Sequence, residues 1–230
     1  NHDKATLAAI KENAKGLARI SGERIWSELQ KIVPGNFGAA LFLEMHRCNL
    51  FEYIGLPKEP YLDEFDRLCK ALDQFEKPHQ PILYLAGMLH SVEDAMEMHK
   101  RLKLSARDLA RFITQEREKV GSQYTTLRDY QKLCLQKYIQ RDFVEQLLKY
   151  SGKLELYNQL KSWVKPDFPI RGNALAQRGL NGMRLGLVMD ELKLLWADSD
   201  FQLTHDDLLK WIPNVLKKIP SAPGKVKRMK

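Results

Sequence analysis

Three groups of residues in this sequence have the types and spacing to do chemistry or to bind charge. The first is Ser21-Gly22-Glu23-Arg24. It precedes Ile25, Leu29 and Ile32 at helical spacing, with Trp26 beside them, so it reads as a helix start. The Ser21 hydroxyl can accept a bond from an orphan backbone N–H one turn in, and Glu23 puts a carboxylate where the helix dipole favours it. Arg24 gains nothing from that dipole, which leaves its charge for another partner. The second group is Arg171-Gly172 followed by Arg178-Gly179-Leu180-Asn181-Gly182-Met183-Arg184 and Gly186. It reads as a helix, a tight glycine turn and a second helix. Gly179 suits a left-handed C-cap, and Gly182 leaves the next helix start open to close approach. Free N–H groups there, beside Arg178 and Arg184, suit a phosphate. The plainer alternative is tight packing, with Gly186 admitting a neighbouring helix. The third group, His90, Asp94 and His99, invites a metal reading. Its spacing lacks an adjacent His-Asp pair, and the simpler expectation is Ser91 capping a helix with Glu93 and Asp94 in its first turn.

The elements that must position these groups are all helical. Residues 4–16 carry Leu7, Ile10 and Ala14 on one face, with Gly16 near the end. The helix opened by Ser21 stops at Pro34-Gly35. Residues 36–51 read as helical with Phe37, Leu41, Met45 and Leu50 broadly on one side, and Gly55-Leu56-Pro57 breaks the chain. Residues 62–75 place Phe65, Leu68, Cys69 and Leu72 inward. Residues 82–89 are apolar enough for a buried strand, but their surroundings favour a buried helix. Ser105 is expected to cap the next helix with Asp108 at N3, and Leu109, Phe112 and Ile113 to face in. Arg107, Arg111, Arg117 and Lys119 form a basic side that Glu116 and Glu118 interrupt, as on a solvated face. Thr125 or Thr126 starts a helix with Leu127, Tyr130, Leu133 and Cys134. Residues 142–150 form another, with Phe143, Leu147 and Leu148, and 154–164 a further one, whose Trp163 reads as core. After Gly186 the pattern runs through Leu187, Glu191, Leu194 and Leu195 to Trp196. Thr204, with Asp207 at N3, caps a last helix through Leu208, Trp211, Val215 and Leu216, which Pro213 should kink or begin. No repeat and no alternating strand pattern occurs, so the expected fold is all-α, an elongated array of helices.

At 230 residues, 44% hydrophobic and 29% charged, the chain can bury a substantial core. No apolar run approaches the ~20 residues that span a bilayer. Cys48, Cys69 and Cys134 are widely spaced, and read as reduced, partly buried thiols rather than a disulfide framework or zinc ribbon. The formal charge is +8, and residues 217–230 contribute Lys217, Lys218, Lys225, Lys227, Arg228 and Lys230 without an acid. Such an end suits a polyanion or is a solvated tail.

The stretch Asn13-Ala14-Lys15-Gly16-Leu17, with Ile20-Ser21-Gly22-Glu23-Arg24-Ile25-Trp26, Glu28-Leu29 and Lys31-Ile32, resembles the neck motif of class II tRNA nucleotidyltransferases, the CCA-adding enzymes, in its animal form. The similarity continues in the family's order at Tyr53-Ile54-Gly55-Leu56-Pro57, at Leu62-Asp63-Glu64-Phe65, and from Phe168-Pro169-Ile170 through Gly172, Gly179, Gly182 and Gly186 to Leu192. The family's catalytic motifs have no match here: no glycine-rich strand-turn, aspartate pair or nucleotide-templating Glu-Asp-x-x-Arg is found. Asp63-Glu64-Phe65-Asp66 sits on an expected helix and is no substitute.

The resemblance implies a chain made of neck, body and tail without the catalytic head. The neck would span 1–57, the body 58–164, the tail 165–218 and a basic extension 219–230. The whole enzyme would add C, C and A to tRNA 3′ ends from CTP and ATP, with Mg2+ held by two carboxylates of the head. In this chain Ser21 would cap, and Glu23 and Arg24 would brace the preceding template helix. Arg171, Arg178, Gly182, Arg184, Lys217, Lys218, Lys225, Lys227 and Arg228 would contact tRNA at its acceptor stem and TψC-loop region, through shape and phosphates. The chain alone would be inactive and would hold no metal. The implied location is mitochondrial, with cytoplasmic or nuclear presence also open. The alternative is a non-catalytic helical adaptor for RNA or protein; a bacterial poly(A) polymerase shares head and neck but differs in body and tail.

Overall fold

A computed structural model describes residues 3–35, 37–104 and 107–219. Their contacts divide the chain into two compact units, residues 1–125 with 142–158, and residues 126–141 with 159–230. Among the described residues there is no strand, only an isolated bridge between Val120 and Tyr124. The fold is all-α.

The first unit begins with α1 (Lys4–Asn13), capped by Asp3, whose carboxylate accepts from the Thr6 N–H. No α1 residue is buried, and Ile10 is exposed. The expected helix over 4–16 ends at Asn13 and passes into a 3₁₀ segment, Ala14–Arg19. Next come α2 (Gly22–Ile32), α3 (Gly38–Arg47), α4 (Leu50–Ile54), α5 (Leu62–Leu72), α6 (Pro81–Ala86), α7 (Val92–Leu102) and α8 (Arg107–Glu116). The break after α4 is real: Gly55 has φ +84, a left-handed conformation that glycine adopts without penalty. The expected inward side of α3 is not the buried one. Phe37 is 77% exposed and Leu41 faces outward, while Phe42 is fully buried against the rings of Phe51 and Phe65. Each such ring contributes roughly 1.5–3 kcal/mol on burial. In α5, Phe65, Leu68 and Leu72 are buried as expected, Cys69 is half-buried, and burial next to Asp66 and Asp73 pushes its thiol up to about 11. Residues 82–86 form a helix buried on all sides, not a strand. Ser91 and Asp94 close a reciprocal capping box on α7. The cap expected at Ser105 lies outside the described residues, but Leu109, Phe112 and Ile113 of α8 are buried.

Arg117 corrects the expectation of a solvated basic side. It follows α8 and is buried. Its guanidinium donates to the carbonyls of Ala86 and His90 at 3.4 and 3.2 Å and to the Tyr150 hydroxyl at 3.3 Å. Tyr150 closes α10 (Arg141–Tyr150) and donates to Glu64 Oε1 at 2.6 Å. Arg67 clasps the same carboxylate with Nε and Nη2, at 2.7 and 2.8 Å. The result is a polar knot among α5, α6 and α10.

The second unit holds α9 (Leu127–Leu133), the end of α11 (Leu154–Ser162), α12 (Gly172–Ala176), α13 (Gly182–Asp198) and α14 (His205–Lys218). Thr126, not Thr125, stands at the start of α9, its N–H donating to the Asp129 carboxylate at 2.8 Å. The core of this unit gathers Leu135, Ile170, Leu175, Leu180, Val188, Leu192, Trp196, Leu208, Ile212 and Val215. The face of α13 that turns inward is therefore Val188–Leu192–Trp196, and Leu187 points out, 43% exposed. In α14, Ile212 is buried and Trp211 is exposed. The helix starts at His205 with the Thr204–Asp207 box and continues through Pro213, which therefore does not mark its start. Trp163 is partly buried against the Phe201 ring, with the Arg141 guanidinium over it.

Candidate nucleic-acid interface

In the first unit, Ser21 is the N-cap of α2. Its φ and ψ are extended and its Oγ accepts from the Arg24 N–H at 3.3 Å. Replacing it with alanine is expected to cost ~1 kcal/mol. A thermal melt reads this directly, and an unshifted transition would remove the cap. Ile25, Trp26 and Leu29 turn inward, and Glu23 and Arg24 stand in the first turn on the exposed side. Neither side chain makes a hydrogen bond or ion pair among the described residues. The residue that sequence reasoning passed over is Arg101. Its Nη2 donates to the Ile20 and Leu17 carbonyls at 2.7 and 3.3 Å, satisfying the groups where the 3₁₀ segment ends. Its aliphatic stem lies on Gly55: a Cβ there would stand 2.3 Å from Arg101 Cγ. The Arg101 carbonyl meets Gly22 so closely that a Cβ would stand 1.7 Å from it. Two glycines of the quoted motifs thus exist to let one arginine and its backbone in. Their only trace in the sequence is the glycine itself.

The His90–Asp94 pair does structural work. Asp94 Oδ2 accepts from the His90 and Ser91 N–H groups, and the His90 ring stacks on Tyr61 at 4.8 Å. Among the described residues no three His, Cys, Asp or Glu side chains gather that could hold a metal ion.

In the second unit the glycine turn forms as its pattern requires. Gly179 has φ +80 and Gly182 φ +50. Asn181 stands at the N-cap of α13 with extended φ and ψ but no side-chain cap bond, and the first turn carries no acid. A Cβ at Gly182 or Gly186 would meet nothing within 4 Å, so neither glycine is there to admit a neighbouring helix among the described residues. Arg171 and Arg184 are exposed. Arg178 is exposed too, but its Nη1 donates back to the Ala174 carbonyl at 3.0 Å, one turn earlier. Lys217 and Lys218 occupy the last turn of α14, where cations suit the dipole. Lys225, Lys227 and Arg228 lie outside the described residues.

Residues 2–65 match a family model described as the probable RNA and SrmB-binding site of polymerase A. The similarity to individual proteins is longer. Over 220 residues, 92% of this chain and 50% of the relative, it is 35% identical to the human "CCA tRNA nucleotidyltransferase 1, mitochondrial". The mouse protein of that name is 34% identical over 221 residues and the zebrafish (Danio rerio) one 32% over 216. The chain is thus similar over most of its length to CCA tRNA nucleotidyltransferases, and it spans about half the length of the curated relatives it matches.

Proposed function

We propose that this chain is the helical half of a tRNA nucleotidyltransferase that adds CCA to tRNA 3′ ends from CTP and ATP, working with a catalytic head of the same protein. The observation that carries this reading is the similarity across 92% of the chain to proteins named for that activity. The head would supply the metal-binding carboxylates, Mg2+ and the phosphoryl-transfer chemistry. The residues of this chain would shape and hold. Ser21 and Arg101 fix the start of α2, so that Glu23 and Arg24 project from a rigid first turn. There they would brace the helix that reads the incoming nucleotide, as supports rather than catalysts. The turn at Gly179–Gly182, with Arg171, Arg178 and Arg184, would hold tRNA phosphates near the TψC loop, and Lys217, Lys218, Lys225, Lys227 and Arg228 would extend that grip. The relatives' names support a mitochondrial location.

The test is a salt titration of tRNA-minihelix binding, with an unrelated RNA hairpin as control. A preference for the minihelix that falls steeply with salt supports tRNA recognition in these helices. Equal, weak binding of both that disappears when residues 217–230 are deleted would leave only the basic end meeting RNA, as in the adaptor reading. Arg178→Ala with Arg184→Ala is expected to weaken minihelix binding and to reduce the salt slope by about 2. Unchanged affinity at fixed salt would remove the turn as a phosphate site.

A further inference from the structure

The second unit has a groove that the phosphate-binding turn does not explain. It lies between α13 and the irregular segment after α9, with a volume of about 580 Å3. Two large apolar side chains that line it face solvent almost completely: Tyr138 is 83% exposed and Met183 84%. Leu187, 43% exposed, lines it as well. Gly182 and Gly186 leave its α13 side open, since nothing lies within 4 Å of the Cβ position of either.

Charge separates this groove from an ordinary apolar contact patch. Lys132, Lys137 and Lys193 line it against a single carboxylate, Asp190. Two of these lysines are pinned: Lys132 to Asp198, and Lys193 to Asp190 at 3.3 Å. Lys137 is engaged by no carboxylate among the described residues, and its ammonium lies 5.1 Å from the Tyr138 ring centroid. An exposed aromatic ring with a lysine beside it, in a net-positive groove, is the combination that takes a nucleobase by stacking and its phosphate by charge. A volume of 580 Å3 lies in the range of pockets that hold small ligands.

We infer that this groove receives an unstacked base of a single-stranded or looped RNA segment, with the base on Tyr138 and Met183 and the adjoining phosphate on Lys137. The base binds here only if the chain binds RNA at all, as proposed above. Duplex ends or regular A-form helix would not enter, because their bases are already stacked.

The experiment measures the affinity of the 230-residue chain for a seven-nucleotide single-stranded RNA of mixed sequence, a blunt duplex of the same sequence and the tRNA minihelix. Tyr138→Ala is expected to weaken single-strand binding between about fivefold and a hundredfold, while Tyr138→Phe, which keeps the ring, binds as the parent does. Lys137→Ala is expected to lower the single-strand salt slope by about 0.7. Because Tyr138 is 83% exposed, its replacement leaves no cavity. Minihelix binding retained with single-strand affinity unmoved by Tyr138→Ala would overturn the groove and leave the tRNA reading standing. No binding of any RNA would bring both down. A change from dimer to monomer in Tyr138→Ala, with RNA affinity unchanged, would make the groove a contact between copies and overturn the base site.

Discussion

Gly22→Ala is expected to destabilise the protein by about 3 kcal/mol, the upper range for overpacking a tight site, and to lower its melting temperature by roughly 6–12 °C. The reason is the identity of what the new methyl would meet. The ideal Cβ would stand 1.7 Å from the Arg101 carbonyl oxygen and 3.0 Å from Leu102 Cα, all backbone at the end of α7. A side chain could rotate away; a helix terminus must move as a body. Any such shift also pulls Arg101 from the Ile20 carbonyl, 2.7 Å from its guanidinium, and off Gly55. Gly186→Ala is the matched control. It lies inside α13 with open space around the new Cβ, and is expected to stabilise by up to about 1 kcal/mol through helix propensity. Equal effects of the two substitutions in side-by-side melts would show that the approach of α7 to Gly22 does not exist in solution.

Arg117→Leu is expected to cost about 3–5 kcal/mol, the range for breaking a buried charged network by removing one member. The side chain is only 5% exposed, so solvent screening does not reduce the loss. Its removal takes a donor from the His90 carbonyl and one of two from the Ala86 carbonyl, and takes a positive charge from beside Tyr150 and Glu64. Burial pushes the Glu64 carboxyl up, but the bonds from Arg67 and Tyr150 and the charges of Arg67 and Arg117 outweigh it, and its pKa lies below the usual value. Burial, helped by Glu64, raises the Tyr150 hydroxyl, which therefore stays a donor. A depressed carboxylate stabilises the fold above its unfolded pKa, near 4.5, and that contribution is lost as pH falls through the lower folded value. Urea unfolding of Arg117→Leu, Tyr150→Phe and the double variant closes the cycle, with a coupling above ~0.5 kcal/mol expected. A loss below ~1 kcal/mol for Arg117→Leu would return that arginine to the solvated surface.

What could be read in the sequence was what is local. Ser21, Ser91 and Thr204 announce their helices because a cap and its N3 partner are three residues apart, and each forms as read. The glycine turn before α13 was legible because φ > 0 at Gly179 and Gly182 is a property of the residue type. The similarity to the CCA tRNA nucleotidyltransferases was legible in the motif around Ser21. What escaped depends on distant chain. Arg117 looks like its basic neighbours until Tyr150, 33 residues on, and the Ala86 carbonyl close around it. The partner of Gly22 is 79 positions away, with no local sign. Phe37 and Phe42 are equally apolar, and only the rings of Phe51 and Phe65 decide which is buried. Tyr138 drew no notice because an aromatic in a short irregular segment has no period to mark it as outward.

The second unit is assembled from residues 126–141 and 159–219, with α10 and most of α11 belonging elsewhere. During synthesis Leu135 emerges from the ribosome well before Val188, Trp196 and Ile212, the residues that will cover it. That segment must wait, exposed, for nearly the whole remaining chain, while the first unit already has all its parts once residue 158 is out. The order of assembly is thereby written into the topology: the first unit can close early and locally, the second late and across a large loop, which is entropically slow. A chain interrupted near residue 165 would carry a finished first unit and a stranded α9.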